Sequence, residues 1–448
     1  MRKTHYVIGG AVLALLIGGW LTAGILVGRV LETEKLRQLV AGKIAREIGG
    51  SAGFLPLSAR GFSVTSRGLT ATAAPPRALT EARANELTAT ARLIELWRGK
   101  WRIDHIGVRH LQVAFGEQAA KLLDRSEFPG PEMVPPSQTE SPMKVDIRQV
   151  SIVRTDLLWA NPKKDGGAFH GVETTWMPDG ENLIVRGHGG SFLQAKWPET
   201  RVSRFAIHYA KPALRIDEGQ LTLGGKSTID VTGGFRFEKE PSLELQLKFE
   251  HCPIAPFLHE TNGKKIAGLF RGEAKINKGG ADPGLMSASG SIATEELIVK
   301  NVVALEKAAA FTGKPQLNPL KINKLEGSYR WASEELKVRD FRVEANKLLC
   351  LRGAFSMKAG EIEGTFELGV APDIVAKFPG AREDVFTRAE GDYLWTPVKI
   401  SGPFEHLRDD LKPRLMSALE KHFVGGLLAP VFKPGQAARE VIEQLFSR

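Results

Sequence analysis

Much of the chain alternates apolar and polar residues with a period of two, the pattern of strands that bury one face. Two segments, SLELQLKFE and TFELGV, show it best, and their apolar positions are Leu243, Leu245, Leu247, Phe249, Phe366, Leu368 and Val370. The pattern predicts a mainly β protein built from an antiparallel β-ladder. The apolar face of such a ladder must be covered by something.

Shorter segments predict further strands and their connections. GFSVTSRGLTATAAPP predicts a hairpin followed by a loop of small residues, and ELTATARL predicts a strand. IELWRGK predicts one helical turn, and WRIDHIGVRHLQVAF a strand pair that bends near Gly107. LKVRDFRVEANKLLCLRGAFSM predicts two or three strands divided by polar turns at Asp340 and at Asn346-Lys347.

Helical spacing predicts a few short helices. Residues 31–48 place Leu36, Ile44 and Ile48 on one side, and Gly49-Gly50 ends that helix. A second helix, over residues 301–314, is expected to cap an edge or one end of the sheet.

The C-terminal region, residues 406–448, predicts an amphipathic helical hairpin. Its apolar stripes are Leu411, Leu415, Leu419 and Phe423, then Val441, Ile442, Leu445 and Phe446. Such a hairpin either packs on its own domain or lies in a membrane interface or against a partner.

The N-terminal run from Tyr6 to Gly28 contains no charged residue and is long enough to cross a bilayer. It is longer than the apolar part of a signal peptide and lacks a small-x-small cleavage site. We therefore predict a retained transmembrane helix. Arg2 and Lys3 precede it and favour a cytoplasmic N-terminus, with the rest of the chain outside the inner membrane.

The Pro-rich stretch SEFPGPEMVPPSQTESPM predicts an exposed linker or loop. The predicted divisions are therefore a cytoplasmic flank and anchor (1–30), a juxtamembrane helix with the first strands (31–125) and the linker (126–144). A repetitive β-ladder (145–405) and the helical tail (406–448) follow.

The chain has 448 residues and a net charge of +10, which favours an anionic partner surface. The basic residues are scattered and no base-stacking motif is present, so nucleic acid is not expected as a partner. The two cysteines, Cys252 and Cys350, cannot form a disulfide framework and are predicted to be free, buried thiols.

No motif for catalysis, a cofactor or a metal was found. EGQLTLGGKST, residues 218–228, resembles a phosphate-binding loop, but Gly219 is misplaced for the G-x-x-x-x-G-K-[ST] pattern and the flanking residues predict strands. His251, Cys252 and His259 lack the paired spacing of zinc ligands. His105 and His110 should face opposite sides of a strand, and Asp409-Asp410 suits a helix terminus. We expect no enzyme activity.

The order of charge-flanked anchor, short helix and ELTATARLIELWRGKWRIDHIGVRHLQVAF resembles the opening of AsmA-like proteins. KINKLEGSYRWASEELKVRDFRVEANKLLCLRGAFSMKAGEIEGTFELGV resembles their C-terminal region, including a recurring Leu-x-Gly at Leu351-Arg352-Gly353, and PVKISGPFEHLRDDL resembles its closing strand. The resemblance implies a single-pass inner-membrane protein of Gram-negative bacteria, with most of its chain in the periplasm as an elongated, half-open antiparallel β-ladder.

The resemblance implies a role in phospholipid transport and outer-membrane biogenesis. The seven apolar positions named first would then line a groove for the acyl chains of phospholipid or another lipid. An outer-membrane or envelope protein would be a further partner. The alternative is a structural or regulatory scaffold for outer-envelope assembly that carries no lipid.

Overall fold

The computed structural model describes residues 34–60, 63–74, 79–92, 100–123, 126, 130–136, 144–160, 166–280, 286–403 and 406–424. The protein is mainly β, with 62% strand and a few short helices, as the alternation predicts. None of the helices in these ranges has the length and apolar character to cross a membrane. The predicted span from Tyr6 to Gly28 lies outside the described residues.

The elements group into two compact units. One falls within Met1–Gly225 and Asp230–Leu243, and the other within Lys226–Ile229 and Glu244–Arg448. The helices are α1 (Glu34–Ile48), α2 (Glu117–Ala120), α3 (Glu260–Gly263), α4 (Val303–Thr312), α5 (Pro372–Val375), α6 (Ala381–Asp384) and α7 (Leu411–Val424).

The strands up to the boundary between the units are β1 (Gly50–Phe54), β2 (Leu57–Arg60), β3 (Ser63–Ala73), β4 (Leu79–Arg92), β5 (Lys100–Phe115), β6 (Lys144–Ile147), β7 (Val150–Trp159), β8 (Gly167–Asp179), β9 (Asn182–His188), β10 (Ser191–Gln194), β11 (Thr200–Ala210), β12 (Ala213–Thr222) and β13 (Thr228–Arg236). In the first unit, β1 and β2 both pair with β3, and antiparallel pairing continues to β4 and β5. From β7 it continues through β8, β9, β10 and β11 to β12.

The expectation of a purely antiparallel ladder is wrong at one place. β5 pairs in parallel with β6 and with β7. Two parallel neighbours need a long connection that returns the chain to the start of the first strand. The segment between β5 and β6, which contains α2 and the Pro-rich stretch, makes this return.

Part of the Pro-rich stretch pairs with β1 of the first unit, although most of its described residues are exposed. Val134 and Ala52 exchange two backbone hydrogen bonds of 2.8 and 3.1 Å. A Cβ at Gly53 would collide with the Glu132 carbonyl, so the close approach requires glycine. The described part of the stretch therefore belongs to the first unit.

The predicted first helix is confirmed, and it covers the hydrophobic core of the first strands. Ala41, Ile44, Ala45 and Ile48 of α1 are completely buried with residues of the first strands. Gly49 follows with a φ of 63° and donates its N–H to the Arg46 carbonyl, which ends the helix as predicted.

Two of the predicted early hairpins are wrong. Residues 63–73 form the single strand β3, and residues 100–115 form the single strand β5 without a turn at Gly107. A glycine inside a strand permits a turn but does not require one, and here the pairing partners on both sides hold the chain extended. The predicted turn over residues 94–100 lies largely outside the described residues.

The second unit is an antiparallel meander. Its strands are β14 (Ser242–Pro253), β15 (Ile266–Gly279), β16 (Met286–Val299), β17 (Leu320–Ala332), β18 (Glu335–Ala345), β19 (Leu349–Lys358), β20 (Glu361–Val370), β21 (Arg388–Glu390), β22 (Tyr393–Pro403) and β23 (Arg408–Asp409). Pairing is consecutive from β15 to β20, after which β20 pairs with β22, and β21 and β23 pair with the outer side of β22.

The turns of this meander differ between its two ends. Two-residue turns with positive φ at both positions join β17 to β18 and β19 to β20, whereas α3, α4, α5 and α6 lie in the longer connections at the other end. Asn346-Lys347 is a turn as predicted, with φ of 49° and 55°. Asp340 is not a turn. It is a bulge in β18, where the register shifts between Val338 and Phe341.

The helices pack as the sequence pattern suggests. Leu305, Ala308 and Ala309 of α4 lie against a buried cluster at the ends of β16 and β17. Leu411, Leu415 and Leu419 of α7 are buried in another cluster with β20, β22, α5 and α6. For this helix, packing on its own unit is the alternative that the structure supports. Residues 425–448, the predicted second helix of the tail, lie outside the described residues.

Candidate functional site

One face of the second unit is apolar from strand to strand. Phe270 lies opposite Thr294, Thr294 opposite Leu325, and Leu325 opposite Val343. The row continues through Leu351 to Leu368. We call this surface the apolar face, and its larger members on β15 to β20 are Phe270, Ile276, Ile292, Leu325, Tyr329, Trp331, Leu336, Val338, Phe341, Val343, Leu351, Phe355, Met357, Ile362, Phe366 and Leu368.

The seven predicted lining residues lie on two strands that are far apart in the meander. Leu243, Leu245, Leu247 and Phe249 are on β14, and Phe366, Leu368 and Val370 are on β20. Phe249 joins the apolar face because its ring centroid is 5.6 Å from that of Phe270. The structure does not bring the two sets into contact. It connects them through the strands between.

Most side chains of the apolar face are half-buried rather than buried. Leu245, Leu247, Tyr329, Trp331, Val338 and Phe355 all keep part of their surface exposed. The described helical segments of this unit cover the strand ends near α4 and the last strands near α7, and Phe257 packs against the rings of Phe249 and Phe270. In the first unit, by contrast, the residues packed under α1 are less than a tenth exposed. The second unit therefore has apolar surface that its described residues leave partly uncovered.

Glycines make room for the aromatic rings of the apolar face. Gly290 lies opposite Tyr329, whose hydroxyl donates a 3.3 Å hydrogen bond to the Glu273 carbonyl on the next strand but one. Burial raises the pKa of this hydroxyl. A Cβ at residue 290 would lie 3.0 Å from the Tyr329 hydroxyl oxygen, so the glycine leaves room for this side chain.

Sequence reasoning missed the members on β15 to β19 for a physical reason. Bulges shift the alternation between Leu269 and Phe270 and between Val338 and Phe341. Gly272, Gly290 and Gly353 occupy other positions of the face, so the period of two is not visible in apolar residues alone. Aromatic residues lie opposite glycines at Gly290–Tyr329 and Gly353–Phe366, and this relationship is visible only once the strand pairing is known.

The opposite face of the second unit is charged. Arg352 stacks over the Trp395 ring at 4.2 Å and bonds Glu367 at 2.7 Å and Glu390 at 2.9 Å. Hydrogen bonds from Arg352 and Arg388 lower the pKa of Glu367. These ion pairs are largely exposed and contribute little stability. The sheet of this unit thus has a charged, solvent-exposed side and an apolar side.

A buried polar cluster in the first unit was not predicted. His110 is on β5, and its Nε2 lies 2.8 Å from the Asp156 carboxylate on the parallel strand β7. The Gly171 amide donates to the other carboxylate oxygen at 2.7 Å. Burial alone would raise the pKa of Asp156, but the hydrogen bonds from His110 and Gly171 lower it well below its usual range. His105 is exposed, so the two histidines do face opposite sides.

The remaining candidates for chemistry have structural explanations in the described residues. Cys252 and Cys350 are free and buried, as predicted, and burial raises the pKa of both thiols. The turn at Gly224-Gly225 joins two strands, which excludes the strand-to-helix setting of a phosphate-binding loop. Asp409 accepts hydrogen bonds from the amides of Leu411 and Lys412 and caps α7. Within the described ranges, no group of three or more His, Cys, Asp or Glu residues is placed to hold a metal ion.

Comparison with known proteins found no matching family model, no matching curated protein and no matching solved structure. The resemblance to AsmA-like proteins therefore stays a prediction from the sequence pattern.

Proposed function

We propose that the second unit holds the acyl chains of lipid against its apolar face. The observation that supports this most directly is the half-buried state of a continuous row of aliphatic and aromatic side chains, Leu245, Leu247, Tyr329, Trp331 and Phe355 among them. Apolar surface of this extent on a soluble unit marks a binding site more often than it stays bare.

Acyl chains suit this surface because they need no polar partner. Each buried methylene contributes about 0.8 kcal/mol, so two chains of ordinary length supply enough free energy without a specific polar contact. The charged headgroup would remain in water at the margin of the sheet. This role involves no covalent chemistry and no cofactor.

The sequence pattern supplies the cellular setting of the proposal. An uncleaved helix from Tyr6 to Gly28 would hold the chain in the inner membrane with its N-terminus in the cytoplasm and its β units in the periplasm. Lipid held there would serve phospholipid transport and outer-membrane assembly, as in the AsmA-like proteins that the chain resembles. An envelope protein would either receive the lipid or hold the lipid donor in position.

Recovery of lipid from the protein tests the proposal. The full chain, purified in a mild detergent, is extracted and its lipids are identified by mass spectrometry. We expect phospholipid in stoichiometric amount. Lipid-free protein that still supports envelope assembly would contradict the proposal and favour the alternative, a scaffold that carries no lipid.

A pair of neighbouring substitutions sharpens the test. Leu245 is on the apolar face and half-buried, whereas Gln246 points to the charged side and is exposed. Leu245→Glu places a charge among apolar side chains and should abolish most lipid binding. Gln246→Glu adds the same charge one residue away and should leave it unchanged. Far-ultraviolet circular dichroism of both variants shows whether the strands remain.

A further inference from the structure

The last strands of the apolar face are more completely covered than the earlier ones. On β22, Leu394, Thr396 and Val398 continue the rows of Val370, Leu368 and Phe366. Phe366 is 7% exposed and Val370 is 6% exposed, while Leu245 and Tyr329 on the earlier strands are half-buried. On β22, Leu394 is 6% exposed and Val398 is 5% exposed. Both belong to one buried cluster with Leu411, Leu415, Ala418 and Leu419 of α7.

Polar contacts hold α7 in this place. Asp409 caps its first turn through the amides of Leu411 and Lys412 at 2.9 and 2.8 Å. Arg414 donates one hydrogen bond to the Pro397 carbonyl at 2.7 Å and another to the Thr396 hydroxyl.

The same region closes the outer edge of β22. The Lys399 amide donates to the Asp410 carboxylate at 2.7 Å, and the Asp410 amide donates to the Lys399 carbonyl at 3.2 Å. β21 and β23 pair with the two ends of the strand. Pro397 has no N–H to offer. These contacts occupy backbone groups of β22 that a further strand would need for pairing.

We infer that α7 is a closed end cap of the apolar face. It prevents acyl chains from contacting β22, and it prevents another strand from pairing with that edge of the sheet. Lipid then lies against the half-buried side chains of β14 to β19 and enters or leaves elsewhere than past α7. This inference rests on the proposed function, since it concerns where on the apolar face the lipid is excluded.

Leucines lie both under α7 and on the uncovered part of the apolar face. The inference can therefore be tested without a mutation that alters the apolar face. The full chain is produced with photo-leucine, a leucine analogue with a small diazirine that reacts on illumination. It is then incubated with vesicles of phosphatidylethanolamine and phosphatidylglycerol and illuminated. Mass spectrometry of peptides maps the lipid adducts. Exposed Leu122, in the other unit, reports background labelling.

We expect adducts at Leu245, Leu247 and Leu351 and only background labelling at Leu394, Leu415 and Leu419. Adducts at Leu394 in similar yield would overturn the end cap alone. Background labelling at every position would overturn the proposed function and the end cap with it. The two failures are therefore distinguishable.

A second experiment weakens the attachment of α7 to β22. Asp409→Ala with Arg414→Ala removes a helix cap and two hydrogen bonds from a charged group but leaves the apolar stripe intact. Together these losses should raise labelling at Leu394 by about tenfold or more. Glu420→Ala, at an exposed position of the same helix, should not change it. Unchanged labelling at Leu394 in a folded double variant would overturn the assignment of the cap to α7.

Discussion

Gly353 lies directly opposite Phe366 across the pair β19–β20, and opposite Phe341 across the pair β18–β19. A Cβ at residue 353 would collide with the Thr365 carbonyl oxygen and would lie 2.9 Å from Cδ1 of Phe366. The glycine of the Leu-x-Gly segment at residues 351–353 is thus the place where two aromatic rings of the apolar face meet. Its role is steric, and it does not depend on a turn.

This relationship predicts a large effect of a single methyl group. Gly353→Ala should lower the free energy of unfolding by about 1–3 kcal/mol, because the neighbouring backbone must shift to admit it. Denaturant unfolding measures the change. Gly279→Ala is the matched control, since a Cβ there meets no atom within 4 Å, and it should change stability by less than about 0.5 kcal/mol. Equal effects of the two substitutions would contradict the steric explanation.

Trp331 and Trp395 are on opposite sides of the second unit, which gives a fluorescence test of lipid position. Trp331 is half-buried on the apolar face, whereas Trp395 lies under Arg352 on the charged face. If acyl chains occupy the apolar face, brominated chains should quench Trp331. Trp331→Phe should then remove much of the quenching, and Trp395→Phe should leave it in place. The opposite result would place the lipid on the charged side.

Asp156 should contribute acid-sensitive stability to the first unit. Its pKa is lowered in the folded protein, so the contribution is complete above the unfolded pKa of about 3.9 and is lost as the pH falls from there toward the folded value. Asp156→Asn should destabilise the protein by about 3 kcal/mol at neutral pH. The difference should shrink below about pH 4.

Urea unfolding at pH 7 and pH 3 measures the two differences for Asp156→Asn. Asp179→Asn, at an exposed position in a hairpin of the same unit, is the control and should be nearly neutral at both pH values. A difference for Asp156→Asn that is the same at both pH values would show that the carboxylate charge is not what stabilises the cluster.

Cys252 and Cys350 should resist thiol reagents in the folded chain. Cys252 is completely buried and Cys350 is 2% exposed, and burial raises the pKa of both thiols, so little thiolate is accessible at neutral pH. A disulfide reagent should modify both only after unfolding in urea. A cysteine introduced at exposed Ser401 should react at once in the folded protein. Rapid reaction of the native thiols would mean that their strands open in solution.

Local features were predictable from the sequence because they depend on neighbours in the chain. The period of two identified β14 and β20, and helical spacing identified α1 and the buried stripe of α7. Gly49 as a helix end and Asp409 as a helix cap follow from backbone conformation and unpaired amides, which any helix end presents.

Tertiary structure alone decided which distant segments of the chain pair or pack with one another. The parallel pairing of β5 with β7 brings Asp156 to His110, and no local pattern records that pairing. The half-buried apolar face is assembled from six or more strands with bulges and with glycines opposite aromatic rings. The sequence by itself determined which residues alternate, because alternation is local. Which of them stay uncovered was decided by where the helices pack, because burial depends on residues far away in the chain.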